Sequence, residues 1–194
     1  MAIYYRYTDA VRNPDEVFDM QLNGSYGDLS DGGAAVIKIN PGMTDSNLAL
    51  FQFPIAPKYK FGDDNLEGKR VLVQGIGHVG ESLVEHITNE GAEVIISDIN
   101  QERLEYVRDT YGASIYGGSD IYSEDVDIYA PCALGATVND ETIHKIKAKV
   151  IAGAANNQLE DENKHGKILQ DRGIVYAPDF LINAGGIINV YAEL

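Results

Sequence analysis

The sequence predicts an α/β fold in which helices cover both faces of a mainly parallel, doubly wound sheet. From Leu66 onward, short apolar runs alternate with segments of helical periodicity. These apolar runs are continuous rather than alternately polar, which is typical of strands that are buried on both faces. The predicted strands are residues 70–75, 93–97, 126–130, 149–152 and 174–176, and the predicted helices are residues 78–90, 101–111, 140–146 and 160–172.

The N-terminal part of the chain has a different pattern. Residues 1–60 hold four of the six prolines, and none of their segments has the periodicity of a long helix. Weak helical spacing covers residues 15–22, and an apolar run bounded by glycines and a proline predicts a strand at residues 35–39. We therefore expect two domains, residues 1–55 and residues 56–194.

The composition argues against several classes of function. A formal net charge of −15 over 194 residues repels the phosphates of nucleic acid and the surface of an anionic membrane. No apolar run approaches the ~20 residues that span a bilayer, and the first residues do not resemble a secretory leader, so we expect a cytoplasmic location. The single cysteine, Cys132, cannot form an internal disulfide, and the four histidines lack a zinc-binding spacing, so no metal site is predicted.

A glycine-rich turn follows the first strand of the alternating region. In it, Gly75 permits a tight turn, Gly77 lets the backbone approach a pyrophosphate, and Gly80 lets the following helix pack closely. The same spacing occurs in ordinary loops. Here the next strand ends beside Asp98, at the place where an acid accepts a hydrogen bond from a ribose 2′-hydroxyl. Together these features predict a Rossmann-type site for a dinucleotide, with the pyrophosphate at the helix N-terminus.

The ligand crevice of such a sheet lies beyond the carboxyl ends of its strands. This rule selects the residues that follow each predicted strand as candidates for a functional site. They are residues 75–80, 98–100, 131–135, 154–158 and 178–186.

Four of the candidate side chains have more than one interpretation. Cys132 is either a nucleophile or a small apolar-like residue, and the absence of an obvious base favours the second. Asn183 either contacts the ligand or turns the chain, and its place after a strand favours contact. Asn157 either contacts the ligand or starts the next helix. His78 is interpreted as a solvent-facing residue at a helix start rather than as an acid or base.

Several segments together resemble a known enzyme family. The glycine turn is followed by PCALG at residues 131–135, NNQL at 156–159 and INAGG at 182–186. Through these segments, the chain from about residue 56 to its end resembles the NAD-binding domain of the Glu/Leu/Phe/Val dehydrogenases. Within that family, the resemblance is to leucine dehydrogenase. The PCALG and INAGG segments are far more specific than the glycine turn.

The resemblance implies NAD-dependent oxidative deamination of a branched-chain L-amino acid to its 2-oxo acid and ammonia. It also implies small-molecule partners, and it leaves open whether the protein is a homo-oligomer. The acid at position 98 disfavours NADP, because its charge repels the 2′-phosphate. The cofactor-binding residues implied are Gly75, Gly77, His78, Val79, Gly80, Asp98, Ile99, Cys132, Ala133, Leu134, Asn157 and Asn183.

The N-terminal part departs from the family at two lysines. Alignment of its K-N-x-x-x-G pattern places the substrate-binding lysine on Leu22, and alignment of its GGGK segment places the catalytic lysine on Ala34. Neither leucine nor alanine can carry a charge or transfer a proton, so the roughly 10²–10⁴-fold rate acceleration of general acid–base catalysis would be lost. We therefore interpret residues 1–55 as a shortened remnant of the substrate and oligomerisation domain, and assign no catalytic residue. The alternative to a dehydrogenase is a catalytically inactive NAD-binding protein or fragment.

Overall fold

A computed structural model describes one part of the chain by its backbone alone and another part with its side chains. The predicted domain boundary, between residues 55 and 56, lies outside the described residues. The backbone is described for residues 2–4, 17–23 and 34–38, and backbone and side chains are described for residues 60–62 and 65–182 apart from the side chains of Phe180 and Leu181.

A small antiparallel sheet comes first in the chain. Its strands are β1 (Ala2–Tyr4), β2 (Val17–Asn23) and β3 (Ala34–Lys38), in the spatial order β1-β2-β3. The predicted strand at residues 35–39 is confirmed as β3, one residue earlier than expected.

The weak helix predicted at residues 15–22 is wrong, because the segment forms β2. Apolar Phe18 and Met20 alternate with polar Asp19 and Gln21, and this period of two suits a strand. Pairing with β3 over five residues then provides the backbone partners that an isolated strand would lack.

A six-stranded, all-parallel sheet forms the main part of the described chain, which confirms the predicted α/β class. Its spatial order is β6-β5-β4-β7-β8-β9. The strands are β4 (Arg70–Gln74), β5 (Glu93–Ser97), β6 (Ser114–Ile115), β7 (Ile128–Pro131), β8 (Val150–Ile151) and β9 (Val175–Tyr176). The helices are α1 (His78–Asn89), α2 (Gln101–Tyr111), α3 (Glu162–Asp171) and α4 (Asp179–Ile182), with a 3₁₀ turn at Ile121–Ser123.

Three of the four predicted helices are confirmed as α1, α2 and α3, but the helix at residues 140–146 is wrong. The segment forms hydrogen-bonded turns instead. The Asn139 side chain accepts from the backbone N–H of Glu141 and Thr142, and the Thr142 hydroxyl donates to the Thr137 carbonyl at 2.6 Å. The Asn139 bonds are those of a helix N-cap, and the N–H groups of Ile143 and Ile146 donate four residues back, but these single turns do not continue into a regular helix. The apolar spacing that suggested a helix buries Ile143 and other side chains under the sheet instead.

Two apolar clusters show that both faces of the sheet are covered. Val71 and Val73 point into one cluster, which includes Leu83 and Val84 of α1. Leu72, between those valines, points into the other cluster. This alternation along β4 is what a central strand of a doubly wound sheet requires. No helix among the described residues is long and apolar enough to cross a membrane.

The strand order reverses at β4. Strands β5 and β6 extend from it to one side, and β7, β8 and β9 extend to the other. A crevice therefore opens at the carboxyl ends of β4 and β7, since the connections from these two strands leave in opposite directions. The glycine turn lies at this point.

Candidate cofactor-binding site

The glycine turn begins at a position that only glycine fits. Gly75 has a φ of +94°, a conformation that a residue with a Cβ rarely adopts. A Cβ added there would also lie 2.6 Å from the Cβ of Ala133, in the segment after β7. The backbone of the turn and Ala133 are therefore in close contact across the switch point.

The other two glycines of the turn differ in what surrounds them. A Cβ on Gly80 would lie closer than 3.0 Å to the Gly75 carbonyl oxygen and 3.5 Å from the Cβ of Cys132. A Cβ on Gly77 would meet nothing within 4 Å, and Gly77 has an ordinary φ of −60°. Gly80 thus lets α1 pack on the turn, whereas the space at Gly77 is open.

The first turn of α1 presents its N-terminus to this open space. Gly77 is the N-cap and provides no side-chain hydrogen bond to the helix. His78 is the first helical residue and is exposed, which confirms its interpretation as a helix-start residue, and Val79 is 37% exposed. The backbone N–H groups of this turn are oriented as anion-binding groups at a helix N-terminus are.

Asp98 lies against the glycine turn. Its Oδ2 accepts from the backbone N–H of Ile76 at 2.8 Å, and its Oδ1 accepts from the N–H of Asn100 at 2.9 Å. The structure therefore brings the carboxylate predicted for ribose recognition next to the turn predicted for the pyrophosphate. Each carboxylate oxygen retains acceptor capacity beyond its one backbone bond.

Arg103 of α2 was not predicted as part of the site. Its Nε donates to the carbonyl of Ile76, and its NH2 group lies 2.6 Å from Oε2 of Glu81 on α1. The Tyr111 hydroxyl donates to the other oxygen of Glu81 at 3.3 Å. Ile76 is thus held through its N–H by Asp98 and through its carbonyl by Arg103. No local pattern in the sequence links these residues.

Cys132 occupies the first position after β7. Its N–H donates to the Gln74 carbonyl at 2.7 Å, and the N–H of Ala154 lies 3.5 Å from its Sγ. Burial raises the pKa of the thiol to about 11, so the sulfur is protonated at neutral pH. The geometry agrees with a small apolar-like residue rather than with a nucleophile.

Two large apolar side chains are exposed on either side of the turn. Ile99 follows β5 and Leu134 follows β7, and these strands are the two neighbours of β4. Leu134 is 80% exposed, and Ile99 is fully exposed. Both lie at the carboxyl edge of the sheet, where a ligand with an apolar ring would cover them.

Asn157 has an unusual backbone conformation. Its φ is +52°, which is uncommon for a residue with a Cβ. Its N–H donates to the carboxylate of Asp179, and its carbonyl accepts from the N–H of Ala136 at 2.6 Å. The alternative that this asparagine starts the next helix is wrong, because α3 begins at Glu162 with Asp161 as its N-cap.

Gln158, beside it, lies in the loop selected from the sequence, but its structural role was not predicted. It is completely buried, and its Nε2 donates to the carbonyls of Gly153 and Ala155 at 2.5 and 2.9 Å. These bonds close the loop that follows β8. Asn183, the last predicted cofactor ligand, lies outside the described residues.

Among the described residues, no group of three or more His, Cys, Asp or Glu side chains is arranged to hold a metal ion.

Comparison with known proteins places the chain in a family. A sequence profile described as Glutamate/Leucine/Phenylalanine/Valine dehydrogenase matches residues 96–194. The chain belongs to this family. Leucine dehydrogenase from Thermoactinomyces intermedius is 56% identical over 139 residues, which are 72% of this chain and 38% of that protein. The resemblance predicted from the motifs is thereby confirmed.

Two further relatives extend the comparison. Phenylalanine dehydrogenase from Lysinibacillus sphaericus is 43% identical over 201 residues, covering 98% of this chain and 51% of that protein. The crystal structure of L-tryptophan dehydrogenase from Nostoc punctiforme has a TM-score of 0.73 and 43% identity, and the match covers 77% of this chain and 46% of that chain. The chain therefore spans about half or less of the length of these relatives.

The two residues that the motif comparison aligns with family lysines, Leu22 and Ala34, lie on neighbouring strands of the small sheet. Ala34 begins β3 and pairs with Gln21, while Leu22 is the next residue of β2. The register therefore pairs Gln21, rather than Leu22, with Ala34.

Proposed function

We propose that this chain is an NAD-dependent amino-acid dehydrogenase, acting in the oxidative deamination of a branched-chain L-amino acid. The observation that carries the proposal is the contrast within the glycine turn. The positions of Gly75 and Gly80 have no space for a side chain, while the position of Gly77 opens onto empty space at a helix N-terminus. That arrangement is what close approach of a pyrophosphate to the backbone requires.

The residues around the turn fit the adenosine half of NAD. The N–H groups of the first turn of α1 bind the pyrophosphate, and the carboxylate of Asp98 accepts from the ribose hydroxyl. Its negative charge repels a 2′-phosphate, which favours NAD over NADP. Ile99 and Leu134 provide apolar surface for the adenine ring.

The loops after β7 and β8 fit the nicotinamide half. The backbone of Cys132, Ala133 and Leu134 lines the cleft, and Asn157 and Asn183 provide amide groups for hydrogen bonds. The protonated Cys132 thiol takes no part in proton transfer, because its raised pKa keeps the proton on sulfur. When bound, the nicotinamide supplies an acceptor for the hydride on the Cα of the amino acid.

A second candidate function is NAD binding without turnover. It is favoured by Leu22 and Ala34, which occupy the positions of the two family lysines. Without a charged group to bind the substrate carboxylate or a base to move a proton, the described residues provide a cofactor site and no acid–base machinery.

One pair of measurements separates the two candidates. The purified chain is titrated with NADH, and it is also assayed for reduction of NAD with leucine, valine and isoleucine at alkaline pH. Binding with turnover supports the dehydrogenase, and binding without turnover supports the second candidate. Failure to bind NADH would contradict both.

The register of the small sheet suggests two ways to restore a pair of lysines, because it pairs Gln21 with Ala34 whereas the motif alignment selects Leu22. Two double variants are compared, Ala34→Lys with Leu22→Lys and Ala34→Lys with Gln21→Lys. Activity that appears only in the first supports the motif alignment, whereas activity only in the second supports the position that the backbone register pairs with Ala34. If neither variant gains activity, lysine loss alone does not explain an inactive chain.

The remaining parts of the proposal follow the family. Residues 1–55 and 56–194 form separate domains, the partners are a small amino acid and its 2-oxo acid, and the protein acts in the cytoplasm. A homo-oligomer is also proposed, and light scattering of the purified chain tests it.

A further inference from the structure

Three loops meet at the backbone of Asn157. Its N–H donates to the carboxylate of Asp179, which follows β9, and its carbonyl accepts from the N–H of Ala136, which follows β7. Asn157 itself follows β8. The N–H and the carbonyl of this one residue therefore join the loops that follow the adjacent strands β7, β8 and β9.

The junction is closely packed. A Cβ on Gly135 would lie 2.6 Å from the Asn156 carbonyl oxygen and 2.8 Å from that of Asn157. Ala136, the next residue, also has a positive φ, of +56°. Ala136 and Asn157, which are hydrogen-bonded to each other, thus both adopt the left-handed conformation although both have a Cβ. Such conformations persist only when surrounding contacts hold them, and they cluster at ligand sites.

Asp179 provides the charged contact of the junction. Only 8% of its surface is exposed, so its carboxylate is largely removed from water. A hydrogen bond to an ionised acceptor is about twice as strong as one between neutral groups. The Asn157 side chain, by contrast, belongs to an exposed residue at the carboxyl edge of the sheet.

We propose that Asp179 is a positioning residue, whose carboxylate holds the backbone of Asn157 in the left-handed conformation that presents the Asn157 side chain to the nicotinamide half of the cofactor. This inference rests on the proposed function, since it requires NAD in the cleft. It adds that the segment after β9 controls a contact made by the loop after β8.

The experiment separates the two halves of the cofactor. ADP-ribose contains the adenosine and pyrophosphate parts that bind at the glycine turn, and NADH adds the nicotinamide. For Asp179→Ala, we expect the Kd for NADH to rise about tenfold, because the hydrogen bond between Asn157 and the nicotinamide is lost, while the Kd for ADP-ribose stays within about twofold. Asp171→Ala, which removes an exposed carboxylate on α3, is the matched control and is expected to change neither.

A double-mutant cycle tests whether Asp179 acts through Asn157. Asn157→Gly adopts the positive φ without strain but has no side chain to contact nicotinamide. In that background, Asp179→Ala is expected to have no further effect on the Kd for NADH. Additive effects would overturn the inference, because Asp179 would then act by another route.

Amide hydrogen exchange tests the junction without any ligand. The Asn157 amide is expected to exchange faster in Asp179→Ala than in the unsubstituted chain, and unchanged exchange would overturn the inference. If Asp179→Ala does not fold, Asp179→Asn is used in its place. Asparagine keeps an oxygen acceptor without the charge, so the rise in the Kd for NADH and the faster exchange of the Asn157 amide are expected to be smaller.

Failure of the inference and failure of the proposed function give different results. If the unsubstituted chain binds neither ADP-ribose nor NADH, both are overturned. If it binds both ligands and Asp179→Ala leaves the ratio of the two Kd values unchanged, only the positioning role is overturned.

Discussion

Two single substitutions in the glycine turn separate folding from cofactor binding. A Cβ on Gly80 would lie 3.0 Å from the carbonyl carbon of Gly75 and closer still to its oxygen. Ordinary contacts begin at 3.4 Å, so the carbonyl carbon would have to move by 0.4 Å and the oxygen by more. Overpacking of this kind costs about 1–3 kcal/mol. At about 2–4 °C per kcal/mol for a domain of this size, Gly80→Ala is expected to lower Tm by roughly 2–12 °C.

Gly77→Ala is expected to have the opposite profile. Its Cβ would meet no atom within 4 Å and its φ of −60° suits alanine, so Tm is expected to remain within about 2 °C. The added methyl group occupies the space where a pyrophosphate approaches the backbone, so the Kd for NADH is expected to rise at least about tenfold, or 1.4 kcal/mol.

Differential scanning calorimetry gives Tm, and isothermal titration gives the Kd. A Gly77→Ala variant that binds NADH as the unsubstituted chain does would refute the placement of the pyrophosphate. A Gly80→Ala variant with unchanged Tm would refute the close packing of α1 on the turn.

Three other perturbations test separate parts of the site. Asp98→Ser removes the charge that repels a 2′-phosphate, so the preference for NADH over NADPH in parallel titrations is expected to fall about tenfold; an unchanged preference would mean that Asp98 does not select the cofactor. Arg103→Met removes the donor to the Ile76 carbonyl, and the Kd for NADH is expected to rise several-fold, whereas Arg108→Met, at an exposed ion pair on the same helix, is the control that leaves it unchanged. Because burial raises the folded-state pKa of Cys132 from 9.0 to about 11, its contribution to stability is present below pH 9 and is lost as pH rises through 11. In urea unfolding, the free energy of unfolding of Cys132→Ala is therefore expected to fall less between pH 9 and pH 11 than that of the unsubstituted chain. Equal decreases would contradict the pKa shift.

The parts of the fold that were predicted correctly depend on local patterns. Helices α1 and α2 have clear periodicity, and α2 also has the Asn100 N-cap and the Gly112 at its C-terminal end that mark helix boundaries. The glycine turn and Asp98 are recognisable because each directly follows an apolar strand. These are short-range features, and periodicity reports them well.

The parts that were missed depend on contacts between distant residues. At residues 140–146, the spacing of Ile143 and Ile146 resembles a helix and Asn139 even caps its start, but the segment forms only separate turns, and Ile143 and Ile146 are buried in the cluster under the sheet. Strand β6 has only two residues and exists because β5 provides an edge.

The candidate site shows the same division. Its glycines and asparagines could be selected from their position after strands, but the contacts of Arg103 with Ile76 and of Asp179 with Asn157 could not. These pairs are 27 and 22 residues apart, and no periodic pattern connects them. What the sequence indicates is which loops form the cleft, and what the structure adds is how those loops are held to one another.

Isothermal titration of the unsubstituted chain with NADH, with ADP-ribose as a competitor, tests the central claim most directly. We expect saturable binding of one NADH for each chain, weakened by ADP-ribose because both ligands occupy the glycine turn between β4 and α1. Absence of saturable binding, or binding that ADP-ribose leaves unchanged, would contradict the cofactor site proposed for this chain.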